Sequence, residues 1–246
     1  MVKIKFISLV HIACIAVILL SCKSTSKDEP QTDDLKTVSD IDGNIYHTVT
    51  IGTQTWMVEN LKTSKYRNGD LIGTTSPSNK NISSELTPKY QWAYNGNDSN
   101  LVVYGRLYTW YTVTDSRNVA PVGWHVATDA DWTLLSEYVA ENLGKSLTTA
   151  KALSDSSYWN PYSAKGAIGD SILINNSTGY SALPCGYRSA SGPFYGKGNY
   201  SFWWSSTNYD ETKANCKSLS YDNMTLYSTK DAKSCGFSVR CVKDSK

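Results

Sequence analysis

The sequence predicts an α+β domain with mixed, mostly antiparallel sheets, one or two flanking helices and long loops. Three observations predict it. Runs with period-two alternation lie near both ends of the chain, at residues 45–51 and 54–58 and again at 236–242. β-branched and aromatic residues at that period read as strands. One stretch, after Thr128, combines a helical apolar period with a start signal. The intervening stretches are rich in Asn, Asp, Gly and Ser, the residues that turns favour.

Residues 1–21 precede the domain. Lys3 and Lys5 form a positive region, and residues 12–20 form an apolar run too short for a comfortable membrane span. The run ends Leu19-Leu20-Ser21-Cys22, which resembles the lipobox of bacterial lipoproteins. That resemblance implies cleavage before Cys22 and lipid attachment to it, making the membrane a partner through the anchor. Each buried methylene of an acyl chain contributes about 0.8 kcal/mol. Residues 22–39 are polar and acidic, and read as a disordered tether. Within them Lys27-Asp28-Glu29 resembles the acidic export signal of some Bacteroidetes surface lipoproteins. The expected address is the outer membrane, lipid-anchored and facing the cell surface, with residues 40–246 as one domain.

Without residues 1–21 the chain keeps 22 basic and 22 acidic residues. A net charge of zero offers no electrostatic footprint for nucleic acid. Aromatics stand out: 17 Tyr and 8 Trp against 4 Phe. Tyr and Trp join an apolar ring to a polar tip, which suits half-buried surfaces and sugar or protein contacts.

In order, Asp42-Gly43-Asn44 is turn chemistry, and residues 45–51 and 54–58 form a hairpin around Gly52-Thr53. Residues 68–100 are a long loop region. Its cluster Asn95-Gly96-Asn97-Asp98-Ser99-Asn100 has oxygen donors that suit Ca²⁺ but lacks the EF-hand spacing, so it reads as a turn. Residues 104–111 place apolar side chains at helical spacing and predict a short helix. Thr128 is an N-cap with Asp131 at the capping-box position. Trp132, Leu135, Val139 and Leu143 then share one face, and Gly144 stops the helix. Residues 145–154 predict a second short helix. Residues 179–188 restart the sheet, 192–198 are a glycine-rich turn, and 202–206 and 217–219 are strands. Residues 236–242 close the sheet, with Phe237, Val239 and Cys241 on one side and Ser238, Arg240 and Val242 on the other.

Several of these runs together resemble one family. They are Asp40-Ile41-Asp42-Gly43-Asn44, Gln54-Thr55-Trp56-Met57-Val58-Glu59-Asn60-Leu61, Gly123-Trp124-His125, Trp203-Trp204-Ser205-Ser206 and Gly236-Phe237-Ser238-Val239-Arg240-Cys241. The chain, over roughly residues 40–244, resembles the Fibrobacter succinogenes major paralogous (FISUMP) domain. The resemblance implies a C-type-lectin-like fold related to the formylglycine-generating enzyme, carried by bacterial surface lipoproteins of undefined activity.

Cys185, Cys216, Cys235 and Cys241 remain after the lipid cysteine. An even number in an exported chain predicts two disulfides. Cys235 and Cys241, about 20 Å apart on an extended strand, exceed the roughly 7 Å that a disulfide spans. Two cross-pairings stay open: Cys185–Cys235 with Cys216–Cys241, or Cys185–Cys241 with Cys216–Cys235. Many relatives carry a cysteine where this chain has Ala120, so the family's pairing does not carry over.

No catalytic residue is assigned. His125 sits beside a helix start with no nucleophile and reads as structural, and no Gly-x-Ser-x-Gly, His-Glu-x-x-His or phosphate loop occurs. The expected function is a non-catalytic binding or adhesion module for a glycan or protein. Its contacts would come from Tyr158, Trp159, Tyr195, Tyr200, Tyr209 and Tyr221, with Asn208, Asp210, Asp222 and Asn223 as polar partners. No metal site or cofactor is assigned beyond Ca²⁺ as a weak candidate, and Glu-Pro-Asn and Gln-Pro-Asp, the Ca²⁺-lectin signatures, do not occur. The alternatives are a structural part of a surface assembly and, far behind it, a cysteine- or copper-dependent oxidase.

Overall fold

The first strand of the domain lies in what reads as tether. In the computed structural model, which describes residues 36–142 and 147–245, β1 (Thr37–Ser39) pairs antiparallel with β2 (Ile45–Ile51). The fold therefore begins before the boundary drawn at residue 40. The leader, Cys22, the tether up to residue 35, Leu143 and Gly144 lie outside the described residues.

The Asp40 carboxylate accepts from the backbone N–H of Asp42 (2.9 Å) and Asn44 (3.0 Å), which fixes the expected turn. The hairpin then forms as predicted, β2 against β3 (Gln54–Met57), with Val49 opposite Trp56. After a long loop come β4 (Gln91–Trp92), α1 (Ser99–Tyr104), β5 (Leu107–Tyr108) and the single turn α2 (Trp110–Val113). The helix expected across residues 104–111 is thus split in two. Gly105 takes a φ of +74°, and a Cβ there would lie 2.9 Å from both Asn60 Cβ and Leu61 O. Tight packing against residues 60 and 61 overrides the local helical period.

β6 (Trp124–Val126) leads into α3 (Asp129–Asn142), the predicted helix. Its capping box closes both ways: Thr128 N donates to Asp131 Oδ2 at 2.8 Å, and Asp131 N to Thr128 Oγ1 at 3.2 Å. Trp132, Leu135 and Val139 are buried. The second predicted helix is α4 (Thr149–Leu153). The rest of the chain forms β7 (Cys185–Arg188), β8 (Phe194–Lys197), β9 (Tyr200–Asn208), β10 (Lys213–Ser220), β11 (Tyr227–Ala232) and β12 (Cys241–Lys243). Strand β11 is a polar, mostly exposed edge, and its period-two signal is correspondingly faint.

Two five-stranded sheets result. One runs β1-β2-β3-β12-β6 and is antiparallel throughout; the other runs β11-β10-β9-β7-β8, with only β7–β9 parallel. Strands β4 and β5 form a separate ribbon. The closing segment joins all three: Gly236 bridges to Arg188, Phe237 to Tyr108, Ser238 to Trp203, and Val242 pairs with Trp56. Its alternation is real, and both sides are buried. Phe237, Val239 and Cys241 enter one core cluster, with Trp204, while Val242 enters the other, with Trp203, Trp132 and Trp56. Adjacent Trp203 and Trp204 are each fully buried, because β9 passes between two cores and has no solvent face there.

A buried polar node ties these elements together. Asn60 Oδ1 accepts from Trp203 Nε1 and from Arg240 Nε, both at 2.8 Å, and Asn60 Nδ2 donates to Tyr104 O at 3.0 Å. Arg240 is 1% exposed, and its remaining donors reach the backbone oxygens of Met57 and Tyr180 at 2.9 Å and Ser181 at 3.2 Å. Three carbonyls from two segments solvate one guanidinium. This supplies the hydrogen bonds that a buried charge requires.

The predicted disulfides are not present: all four cysteines are buried free thiols. Cys185 Sγ faces Asn60 Nδ2 at 3.0 Å and Ser201 Oγ at 3.2 Å, and Cys235 Sγ lies 3.6 Å from Asp231 Oδ1. Cys241 sits opposite Val126 in the first sheet, whereas Cys216 sits opposite Trp204 in the second.

Candidate ligand-binding face

The face is built from the segment after α4. Asp155 Oδ1 accepts from Ser157 N at 2.9 Å, turning the chain. Trp159 is then pulled inward: it is 3% exposed and its Nε1 donates to Ala182 O at 3.0 Å. Between the two, Tyr158 is held at a φ of +67° with its side chain 55% exposed. A bulky residue in the left-handed region costs about 1–3 kcal/mol, and persists only where its surroundings impose it. The imposition comes from both flanks, since Asn160 N also donates to Gly198 O at 2.9 Å.

Tyr158 meets Tyr104 edge to face with ring centroids 5.8 Å apart. Tyr104 ends α1, and its carbonyl is fixed by Asn60. Burial pushes its phenol up from the ordinary value, with Cys185 and Tyr158 adding to the shift. Lys197, at the end of β8, places its Nζ 5.7 Å from the Tyr104 ring and 5.6 Å from the Tyr94 ring. That is cation–π range. Its ammonium also donates to Asn100 Oδ1 at 3.3 Å. The surface continues through the Asn160 Nδ2 to Asn199 Oδ1 bond at 2.7 Å, and Tyr221 N bonds Asn199 O at 2.9 Å. Tyr221 packs on Tyr162 at 5.4 Å. Tyr195 shares one face of β8 with Lys197, and Tyr200 lies against Gly196 on the same hairpin.

The structure therefore gathers Tyr158, Tyr195, Tyr200 and Tyr221 around the β8–β9 turn. Trp159 is buried beneath them and presents no ring to solvent. Asp222 accepts from Ser220 Oγ, and Asn223 Oδ1 accepts from Tyr227 at 3.3 Å, so both shape the turn after β10. Asn208, Tyr209 and Asp210 are elsewhere, at the opposite end of the nine-residue β9, about 26 Å away at 3.3 Å per residue. There Asp210 closes the turn into β10 by accepting from Lys213 N (2.7 Å) and Thr212 N (2.8 Å), which lowers its pKa. Tyr209 pairs with Lys230, 3.8 Å from its ring.

Sequence reasoning missed Tyr94, Tyr104, Asn160, Tyr162 and Lys197. Tyr104 was assigned to a helix, and Lys197 carries no signal of its own in a glycine-rich turn. Asn160 and Tyr162 flank Pro161 immediately after the singled-out pair, and that proximity was the usable clue. The segment 95–100 is a short 3₁₀ turn running into α1, with Asn97 Oδ1 accepting from Ser99 N at 3.0 Å. Among the described residues no group of three or more His, Cys, Asp or Glu has metal-site geometry.

Away from this face, His125 bridges two carboxylates, Asp131 at 3.1 Å and Asp244 at 2.7 Å. The Asp131 hydrogen bond, then Asp244, raises the imidazole pKa against burial. Burial works against ionisation of Asp131, but hydrogen bonds from His125 and Thr128 hold it at about 2. Burial pushes the Cys216 and Cys241 thiols up and Cys235 to about 12, so these thiols are protonated at neutral pH.

The architecture defines a mixed α+β domain, mostly antiparallel strands and long loops around Trp-rich cores. Residues 49–243 match the Fibrobacter succinogenes major domain. The chain belongs to that family. No curated protein and no solved structure matches it.

Proposed function

We propose that this chain is a non-catalytic binding module, lipid-anchored through Cys22 in the outer membrane and facing the cell surface. We place its domain among C-type-lectin-like folds, and its ligand is a glycan. One observation carries the reading: an exposed Tyr158 in a left-handed backbone conformation, edge to face with Tyr104 beside Lys197. The strain holds a half-exposed ring against Tyr104, and functional sites are where such strain collects. Tyrosine rings stack on sugar C–H faces while their hydroxyls, Asn160 and Asn199 supply polar contacts.

The test is a glycan and matrix-protein array, probed with and without Ca²⁺. Tyr158→Ala and Tyr104→Ala should abolish a glycan hit, and Tyr209→Ala, at the other end of β9, should leave it intact. A hit lost with Tyr209→Ala but not with Tyr158→Ala would move the site to the far end, and a silent array from a folded chain would end the reading.

A further inference from the structure

A cavity of about 340 Å³ lies beside the 3₁₀ turn that precedes α1, lined among others by Thr75, Ser78, Gln91, Trp92, Asp98 and Arg106. Its volume is at the lower end of the range for small-molecule sites. The floor is rigid. Gln91, Trp92 and Thr75 are buried, and Trp92 Nε1 donates to Thr75 Oγ1 at 2.9 Å. Ser78 O accepts from Thr75 Oγ1 at 3.1 Å and from Arg188 Nε at 3.0 Å. Arg188 itself is buried and stacks 4.0 Å from the Trp92 ring. Across the rim, Gly96 has a φ of +66°, and a Cβ there would meet Ser78 Oγ at 2.6 Å. Glycine is required for the two walls to approach so closely.

Two charges in this cavity have no oppositely charged partner among the described residues. Arg106 Nε donates to Lys62 O at 2.8 Å and Nη1 to Gln91 Oε1 at 2.6 Å, which orients the guanidinium. Among the described residues its Nη2 makes no hydrogen bond and no carboxylate lies within 4.0 Å of it. Asp98 precedes α1, yet its side chain caps nothing and pairs with no cation among the described residues. The cavity thus offers a fixed donor for an anion at one point and a free carboxylate at another. Thr74, Ser78 and Gln91 also line it, while the Thr75 hydroxyl is taken up by Trp92 Nε1 and Ser78 O. A ligand with one carboxylate and several hydroxyls matches that set; an ammonium compound would use Asp98 but leave the Arg106 donor idle.

We propose that this cavity binds a hexuronic acid unit of an acidic glycan, with its carboxylate on Arg106 and sugar hydroxyls donating to Asp98. The inference rests on the glycan-binding reading and gives it a ligand class. Uronates would enter here while neighbouring sugar units cross α1 onto Tyr104 and Tyr158.

The experiment is titration of the full chain with free glucuronate, glucose and glycine, read by isothermal calorimetry and by the Trp92 indole N–H resonance. Expected are saturable glucuronate binding with a shift of that resonance, no response to glucose, and at least about a tenfold affinity loss in Arg106→Gln, the loss of a charge-assisted contact. Arg106→Lys should recover part of it. Asp98→Asn, an exposed change that leaves folding intact, should weaken binding several-fold, so the idea stays testable if Arg106→Gln misfolds. Glucose binding as well as glucuronate, glycine binding more tightly, or both variants matching wild type would overturn it. Array glycans held through Tyr158 with glucuronate unbound would overturn the uronate site and leave the binding-module reading standing. Glucuronate bound with a silent array supports the site and removes the broader reading.

Discussion

The Asn60 node and the Tyr158 face are made of similar side chains and do opposite work. At the node, an aromatic, a cation and an amide are buried with every nitrogen of the guanidinium engaged. At the face, tyrosines, a lysine and amides meet at a solvent-exposed surface, and one backbone is strained to keep them there. The node contains Asn60, Trp203 and Arg240, all within the motifs by which the family is recognisable; the face contains none of them. Here the motif residues hold the core together, while the tyrosines of the face meet solvent.

The sharpest way to break the comparison is at the node. Asn60→Leu leaves Arg240 Nε and Trp203 Nε1 without their acceptor in a dry core, and should cost about 3–5 kcal/mol. Urea denaturation would show it, and a loss under 1 kcal/mol would mean that the node does not hold the sheets together. Next comes a paired substitution. Trp203 Nε1 bonds Asn60, whereas Trp132 Nε1 has no partner among the described residues. Trp203→Phe should therefore destabilise by about 1–2 kcal/mol more than Trp132→Phe, since the two lose similar volume but only one loses a hydrogen bond. Equal midpoints in the same assay would contradict that.

At the face the expectation reverses. Tyr158→Asn keeps a residue that tolerates the left-handed region, so relief of strain offsets the lost Tyr104 contact. Stability should change by less than about 1 kcal/mol while glycan binding disappears. A large stability loss with binding retained would make Tyr158 a structural residue.

The smallest effect is in pH. The raised His125 pKa contributes stability that is complete below the ordinary value near 6.5 and is lost as pH rises through the folded value. Asp131, held at about 2, contributes above its ordinary value near 3.9 and loses that contribution as pH falls toward 2. The clamp between β6, α3 and Asp244 is thus strongest between about pH 4 and 6.5. His125→Gln should flatten the alkaline-side decline in melting temperature, and an unchanged pH profile would show that the bridge contributes nothing.

The hairpin β2–β3, the capping box of α3 and the alternation of the closing segment were legible because each rests on local chemistry: a Gly turn, a Thr-x-x-Asp cap, a period of two. The helix expected at 104–111 failed because its period is genuine but Gly105 packs against Asn60, a contact no local pattern carries. Trp159 looked like a surface ring for the same reason. Its neighbour Tyr158 has the same local environment in sequence, and only the Ala182 carbonyl, 23 residues on, decides which of the two turns inward.

By itself the sequence determined the fold class, the family and the elements whose signals lie within one turn or one strand. Tertiary structure alone decided that β9 runs between two cores, that Cys185 and Cys235 face a polar neighbour where a bridging sulfur was expected, and that Tyr104, Tyr158 and Lys197 share a surface. Those outcomes depend on contacts between residues far apart in the chain, and periodicity and turn chemistry record only what neighbours along the backbone impose on one another.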